Sequence, residues 1–340
     1  MINAAPPLTK LQQQIALRTI KGHKQHYDIG TDIFRWIDEW DFKGYKTKTY
    51  THGFHTYPAM FIPQVARKLI EVFSSENDTI CDIFCGSGTT LVESSLLNRN
   101  SIGIELNPLA ALIAKVKTTP INPQTLTDNL KTILNSYKNM KNAALPKFNN
   151  IDFWFSEPVI KNLAKLKHVI LNISEENIRN FFSVCFSEAV RIVSFTRHKE
   201  FKLFRDTAKL EKSLKPEVLT EFTRMCENNI LGMKEYISDI MPNANVKIIL
   251  GDSTKDNGIP PESVDFIITS PPYGDSRTTV AYGQFSRLPA QWLDLLPPQV
   301  KDIDKELLGG KNSISLNDSV INLSDTLRLS IKIISEKDTV

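Results

Sequence analysis

The chain has no apolar run approaching 18 residues, no cysteine framework and no marked excess of charge. Each absence removes a class. Without such a run no helical membrane span is expected, and the polar N-terminus does not read as a secretory signal. Only four cysteines occur, Cys81, Cys85, Cys185 and Cys226. That argues against a disulfide scaffold and fits a reducing, cytoplasmic setting. Cys81 and Cys85 have the spacing of a metal pair but no second pair or nearby histidine, so buried thiols are expected and no metal. Net charge is only +3, so any nucleic-acid surface must be local. A chain of 340 residues can bury a large core and allows two or three domains.

Residues 264–273 read Val-Asp-Phe-Ile-Ile-Thr-Ser-Pro-Pro-Tyr. An apolar run of strand type ends in Ser270-Pro271-Pro272-Tyr273. Two prolines end regular pairing and fix the backbone just past the strand. A hydroxyl, a free carbonyl and an aromatic ring are thereby held at a strand's C-terminal edge, where open α/β sheets bind ligands. A flat, amine-bearing ring suits this cluster. It can stack on Tyr273 and donate its exocyclic NH2 to Ser270 and to a proline carbonyl. A Pro-Pro turn closed by a surface tyrosine is the alternative reading.

Upstream, residues 79–90 read Thr-Ile-Cys-Asp-Ile-Phe-Cys-Gly-Ser-Gly-Thr-Thr. A short buried strand runs into Gly86-Ser87-Gly88 and then a helix from about Thr89 to Leu97. Glycines permit the tight turn and close approach of a ligand to the backbone. A second strand, Ser101 to Glu105, ends in an acid that can hold the two hydroxyls of a ribose. This unit fits neither the dinucleotide GxGxxG nor the phosphate-loop lysine motif, since position 91 is Leu and no Gly-Lys-Thr/Ser follows.

Asp82-Ile-Phe-Cys-Gly-Ser-Gly-Thr-Thr and Thr269-Ser-Pro-Pro-Tyr273 resemble the cofactor and catalytic motifs of S-adenosylmethionine-dependent DNA amino-methyltransferases. Thr56-Tyr-Pro-Ala-Met-Phe-Ile-Pro63 is similar to that family's additional cofactor motif, and Ile248-Ile-Leu-Gly-Asp252 to the strand whose terminal acid reaches the adenine ring. The resemblance covers roughly residues 50–118 and 246–290. It implies a Rossmann-like class I α/β sheet with S-adenosyl-L-methionine as cofactor. Phe61, Asp82, Phe84, Gly86, Gly88 and Thr89 would surround the cofactor, with Phe61 at its methionine end. Glu105 would take the ribose and Asp252 the adenine. Ser270, Pro271, Pro272 and Tyr273 would be catalytic. Within the family, Ser-Pro-Pro-Tyr is most typical of cytosine-N4 enzymes, and Asp- or Asn-Pro-Pro-Tyr is more usual for adenine-N6 enzymes. Cytosine-C5 chemistry needs a nucleophilic thiol, typically in a Pro-Cys pair, and the chain has no Pro-Cys dipeptide.

Between Thr118 and Val246 the α/β rhythm stops. Residues 123–141, 157–172, 175–197 and 215–240 carry apolar residues at helical spacing. The expected division is an N-terminal arm (1–50), a cofactor-binding part (51–119), a helical insertion (120–245) and a catalytic part (246–340). Helices are also expected over 58–75 and from Pro108, and Trp36–Thr51, which mixes aromatics with lysines, is read as a surface packed on its own aromatics, with a strand-rich edge touching DNA as the alternative. From Arg191 to Lys215 the insertion has eight Lys or Arg against Glu200, Asp206 and Glu211. Interleaved with aromatics, this run suits a DNA phosphate surface; a solvated helix end is the alternative. Residues 274–290 follow the Pro-Pro-Tyr turn as a polar lid, with Arg277, Thr278, Thr279, Tyr282 and Arg287 as candidate DNA contacts.

Three function classes remain: a cytosine-N4 DNA methyltransferase paired with a restriction endonuclease, an adenine-N6 DNA or guanine-N2 RNA enzyme, and a non-catalytic DNA- or cofactor-binding subunit. A complete sheet of the resembled family has seven strands, and only four are placed before Tyr273: about 79–84, 101–105, 246–250 and 264–269. Beyond it stand a Pro-rich helix near 289–297, at most one weak strand in 313–322, and an amphipathic helix from Leu323 to about Ser335. The sheet is therefore expected to lack its C-terminal strands and to need a second polypeptide. The alternative is that 120–245 supplies strands.

Overall fold

The computed structural model describes residues 40, 42–197, 200, 202–211, 217–241, 243–271 and 280–295. Four parallel strands form one sheet: β1 (Thr79–Asp82), β2 (Asn100–Glu105), β3 (Val246–Leu250) and β4 (Phe266–Ile267), in the order β3-β2-β1-β4. Ile80 stands opposite Ser101 on one side and Phe266 on the other, and Glu105 stands opposite Leu250. All four strands thus point their C-terminal ends to the same edge. The expected long strand over 264–269 pairs formally at two residues only. Hydrogen bonds from Asp265 and Ile268 N–H to Thr79 and Cys81 carbonyls extend it on both sides.

Helices α1 (Pro63–Phe73), α2 (Thr89–Leu96) and α3 (Pro108–Thr118) pack against the strands. Pro63 and Pro108 sit in first turns, where a missing N–H costs nothing. The side chain of Asn107 caps α3 by accepting from Leu109 N–H at 3.1 Å. Ala66 and Ile70 of α1 close on Ile80 and Ile268, and Leu91 of α2 and Ala114 of α3 close on Val246 and Ile248. At the sheet's two edges Leu250 and Ile267 are exposed. Residues 58–62, expected to be helical, precede α1, and a 3-10 turn spans Tyr50–Gly53.

The stretch between β2 and β3 is helical, as its periodicity implies: α4 (Pro123–Asn139), α5 (Glu157–Leu171), α6 (Glu176–Val193) and α7 (Val218–Asp239). α6 is buried on nearly every side, with Phe181, Phe182, Val184, Cys185, Phe186 and Val190 inside. It is the axis around which α5, α7 and a further helix, α8 (Tyr282–Trp292), pack. Trp292 is fully buried among the ring edges of Phe148, Phe155 and Phe186. α8 begins seven residues earlier than the helix expected near 289–297 and carries Pro289 inside it, so Tyr282 and Arg287 are helical rather than lid residues. The same apolar core includes Leu109 and Ile113 of α3, so the insertion is continuous with the cofactor side. Residues 296–340, on which the expectation of absent strands rests, lie outside the described residues.

Candidate active site

Asp82 ends β1 almost fully buried. Its Oδ1 accepts from Phe84 N–H at 3.2 Å and from Thr269 Oγ1 at 2.7 Å. Burial raises its pKa, and these hydrogen bonds oppose the rise. The chain then turns through Gly86 and Gly88, with φ of 51° and 80°, values that L side chains rarely adopt. A Cβ at Gly88 would lie 2.8 Å from the Ala114 Cβ, so this glycine also serves the packing of α2 on α3. At Gly86 a Cβ would meet only Tyr57, at 3.8 Å, which leaves room above the turn.

Glu105 ends β2 beside this turn. Gly86 N–H donates to its Oε2 at 2.8 Å and Asn107 N–H to its Oε1 at 2.7 Å. Burial nonetheless pushes its pKa up to about 7. A carboxylate can accept about four hydrogen bonds, so two ribose hydroxyls could still be received. Gly251 N–H bonds to the Glu105 carbonyl and sets the turn after β3 alongside. There Asp252 Oδ1 accepts from Thr254 N–H and Oγ1 at 2.9 and 2.7 Å, so this acid is partly engaged in its own turn.

Of the residues singled out in the sequence, the described ones therefore gather along one edge. The half-buried Ser270 and the exposed Pro271 follow Thr269, which is bonded to Asp82. Phe61 packs with the apolar group of α1, β1 and β4 that includes Ile268. Phe84 is half-buried in the turn, and Thr89 is buried in the first turn of α2. Pro272 and Tyr273 lie outside the described residues, as do Arg277, Thr278 and Thr279.

Residues 9–116 match the DNA methylase family of N6 and N4 methyltransferases. The chain is 40% identical over 320 residues to the Type II methyltransferase M.MvaI of Kocuria varians, spanning 86% of this chain and 69% of that protein. The chain belongs to the Type II DNA methyltransferases. It is also similar to M.BsoBI of Geobacillus stearothermophilus, 26% identical over 255 residues, spanning 65% of this chain and 49% of that one. M.MjaII of Methanocaldococcus jannaschii is 38% identical over 117 residues, 34% of this chain and 21% of that one. No solved structure gives a significant match.

Methyltransferases of this family use S-adenosylmethionine, act on DNA and belong to restriction-modification systems. The glycine cradle and the Glu105 acceptor pair fit such a cofactor. Among the described residues of this methyltransferase no helix is long and apolar enough to cross a membrane.

Two features of the methyltransferase escaped the sequence reading. The first is Asn107, 1% exposed, whose Nδ2 donates to Tyr57 Oη at 3.1 Å and to Ser286 Oγ at 2.8 Å. It joins the end of the Glu105 strand to α8, the element after the Pro-Pro-Tyr segment. Asn-Pro before a helix signals only a cap; its two donors find partners 50 and 179 positions away. The second is a buried polar group around Glu93 of α2, which accepts from Arg67 and pairs with His52 at 2.6 and 2.7 Å. Lys117 is 1% exposed beside it, its Nζ without a hydrogen-bond partner among the described residues, and burial lowers its pKa to about 7.

Proposed function

We propose that the chain transfers a methyl group from S-adenosylmethionine to the exocyclic N4 amine of cytosine in duplex DNA, as the modification partner of a cognate restriction endonuclease. Ser270 carries this reading. It opens the Ser-Pro-Pro-Tyr turn with a neutral hydroxyl, beside a strand end tied to the cofactor strand through Thr269 and Asp82. An exocyclic amine is a poor nucleophile because its lone pair is delocalised into the ring. Ser270 Oγ and the Pro271 carbonyl accept from the NH2 group, favour its rehybridisation and aim its nitrogen. Such placement supplies much of the barrier reduction. Tyr273 stacks on the base, which must leave the duplex to reach the site. Bound S-adenosylmethionine supplies a methyl group on a sulfonium sulfur. Gly86, Gly88, Phe84 and Thr89 shape its seat, Glu105 takes the ribose, Asp252 the adenine edge and Phe61 the methionine end.

In this reading residues 51–119 and 246–340 form the two parts of the catalytic domain, 1–50 an arm and 120–245 an insertion that contacts DNA. The deciding experiment is mass spectrometry of nucleosides from DNA incubated with the protein and isotopically labelled cofactor. Labelled N4-methylcytosine is expected. Labelled N6-methyladenine would overturn the cytosine assignment, and no labelled nucleoside would favour a binding subunit.

A further inference from the structure

A shallow cleft, open to solvent, lies between α8 and the loop that follows α6. Phe285, Leu288 and Pro289 of α8 form one side. The other is a wall held at several points. Thr196 bridges Arg205, Arg197 N–H donates to the Phe204 carbonyl at 3.0 Å, and Lys209 Nζ donates to the Ser194 and Thr196 carbonyls at 2.9 and 2.8 Å. Leu203 N–H reaches Gln284 Oε1 at 3.2 Å, tying the wall to α8.

Among the described residues that line the cleft, the charged ones are three cations, Arg191, Arg197 and Lys202, against one acid, Glu200. The Arg191 side chain is 11% exposed, with its guanidinium 3.4 Å over the Phe285 ring. Its acid, Glu188, stands at 3.5 Å and is shared, for it also accepts from Thr56 at 2.8 Å and faces His55 at 3.4 Å. Glu188 answers the Arg191 charge, so the net positive charge that an anion in the cleft would meet comes from Arg197 and Lys202 against Glu200.

We infer that this cleft seats one phosphodiester of the DNA substrate, with Arg197 and Lys202 as its outer cations and Arg191 behind them. The inference rests on the DNA-methyltransferase reading and adds a defined contact to it. α8 is the first described element after the Ser270-Pro271 turn, and Asn107 joins it to the end of the Glu105 strand through Ser286. An apolar side facing a cationic wall suits a sugar beside its phosphate. A contact to the backbone positions DNA without reading its sequence.

The test is fluorescence anisotropy of the full chain with a random-sequence duplex, in S-adenosylhomocysteine, from about 50 to 200 mM salt. Arg197→Gln and Lys202→Gln each weaken binding about threefold to tenfold and lower the salt slope by about one. Cofactor affinity is unchanged. Glu200→Gln, which removes the opposing charge, tightens binding, a gain that misfolding could not produce. Wild-type affinity and salt slope in all three variants would overturn the site. So would weakened binding with an unchanged salt slope in Arg197→Gln and Lys202→Gln, which would mark a contact that displaces no phosphate counterion. If the wild-type protein neither binds DNA nor methylates it, the methyltransferase reading falls with the site; DNA binding indifferent to all three variants sinks the site alone.

Discussion

Thr269 donates a hydrogen bond to Asp82 Oδ1 at 2.7 Å across 187 positions of sequence. The residue before the Ser-Pro-Pro-Tyr turn is thereby tied to the acid before the glycine turn. Thr269→Val keeps the shape and deletes the donor. Leaving a buried carboxylate short of a partner costs about 1–3 kcal/mol. Methyl transfer is expected to fall about tenfold or more, while calorimetry shows cofactor affinity within a few-fold of wild type. Unchanged turnover would mean that the bond does not align Ser270.

Glu105 should make cofactor binding pH-dependent. Its pKa of about 7 means that the acid is half-protonated at neutral pH, whereas ribose hydroxyls need the ionised acceptor. Affinity should hold above pH 7 and weaken below it, approaching about tenfold per pH unit. Glu105→Gln should bind weakly with no such slope. Titration calorimetry across this range gives the answer, and a flat wild-type profile would remove Glu105 from the ribose site.

The Asn107–Ser286 bond joins the cofactor side to α8. Ser286→Ala deletes that link and leaves Asn107 as the cap of α3. A lost neutral hydrogen bond costs about 0.5–1.5 kcal/mol, so the fold should survive. The expected signature is a lower kcat with cofactor affinity retained. A variant with full kcat and only a lowered melting temperature would reduce the bond to a packing contact.

Tyr273→Phe should be mild and Tyr273→Ala severe, because stacking needs only the ring. Ser270→Ala should lower methyl transfer far more than cofactor binding. Single-turnover assays with labelled cofactor separate these effects. Equal damage from Phe and Ala would show that the phenol takes part in the chemistry.

Lys117 is a cost built into the core. With its pKa lowered from 10.5 to about 7, the folded state binds a proton less tightly than the unfolded chain. Its contribution therefore favours folding above pH 10.5 and is lost as pH falls toward 7. Lys117→Met should raise the melting temperature at neutral pH, by about 1–2 °C for each kcal/mol regained in a chain of this size. The gain should shrink as pH rises toward 10. A lower melting temperature at pH 7 would show that the ammonium is paired.

The strand, glycine turn, helix and terminal acid from Thr79 to Glu105 were legible because they are local: propensity, turn chemistry and order all lie within one unit. The helices of 123–239 were legible from periodicity, although α6 stops at Val193 instead of running on to 197. There Phe195 N–H turns to the Trp154 carbonyl and Thr196 bridges Arg205, pairings that no periodicity announces. Tyr282 to Arg287 read as polar loop because Phe285 and Leu288 are sparse among small residues. Their partners, Tyr57 and the core around α6, are remote in sequence. Asn107 and Lys117 were missed for the same reason, since what makes them notable is whom they meet.

β1 is an inner strand whose two neighbours arrive at different times. β2 follows it after a single helix, but Asp265, at the head of β4, lies 186 positions beyond Thr79. At a synthesis rate of about 5–20 residues per second, roughly ten to forty seconds separate them. Through that interval one edge of β1 is open to wrong partners. The helices of 123–239, rich in local contacts, can form meanwhile. Conditions that slow elongation prolong the exposure and should lower the yield of native protein. The glycine turn exists as a local unit long before it has a Ser270 to face.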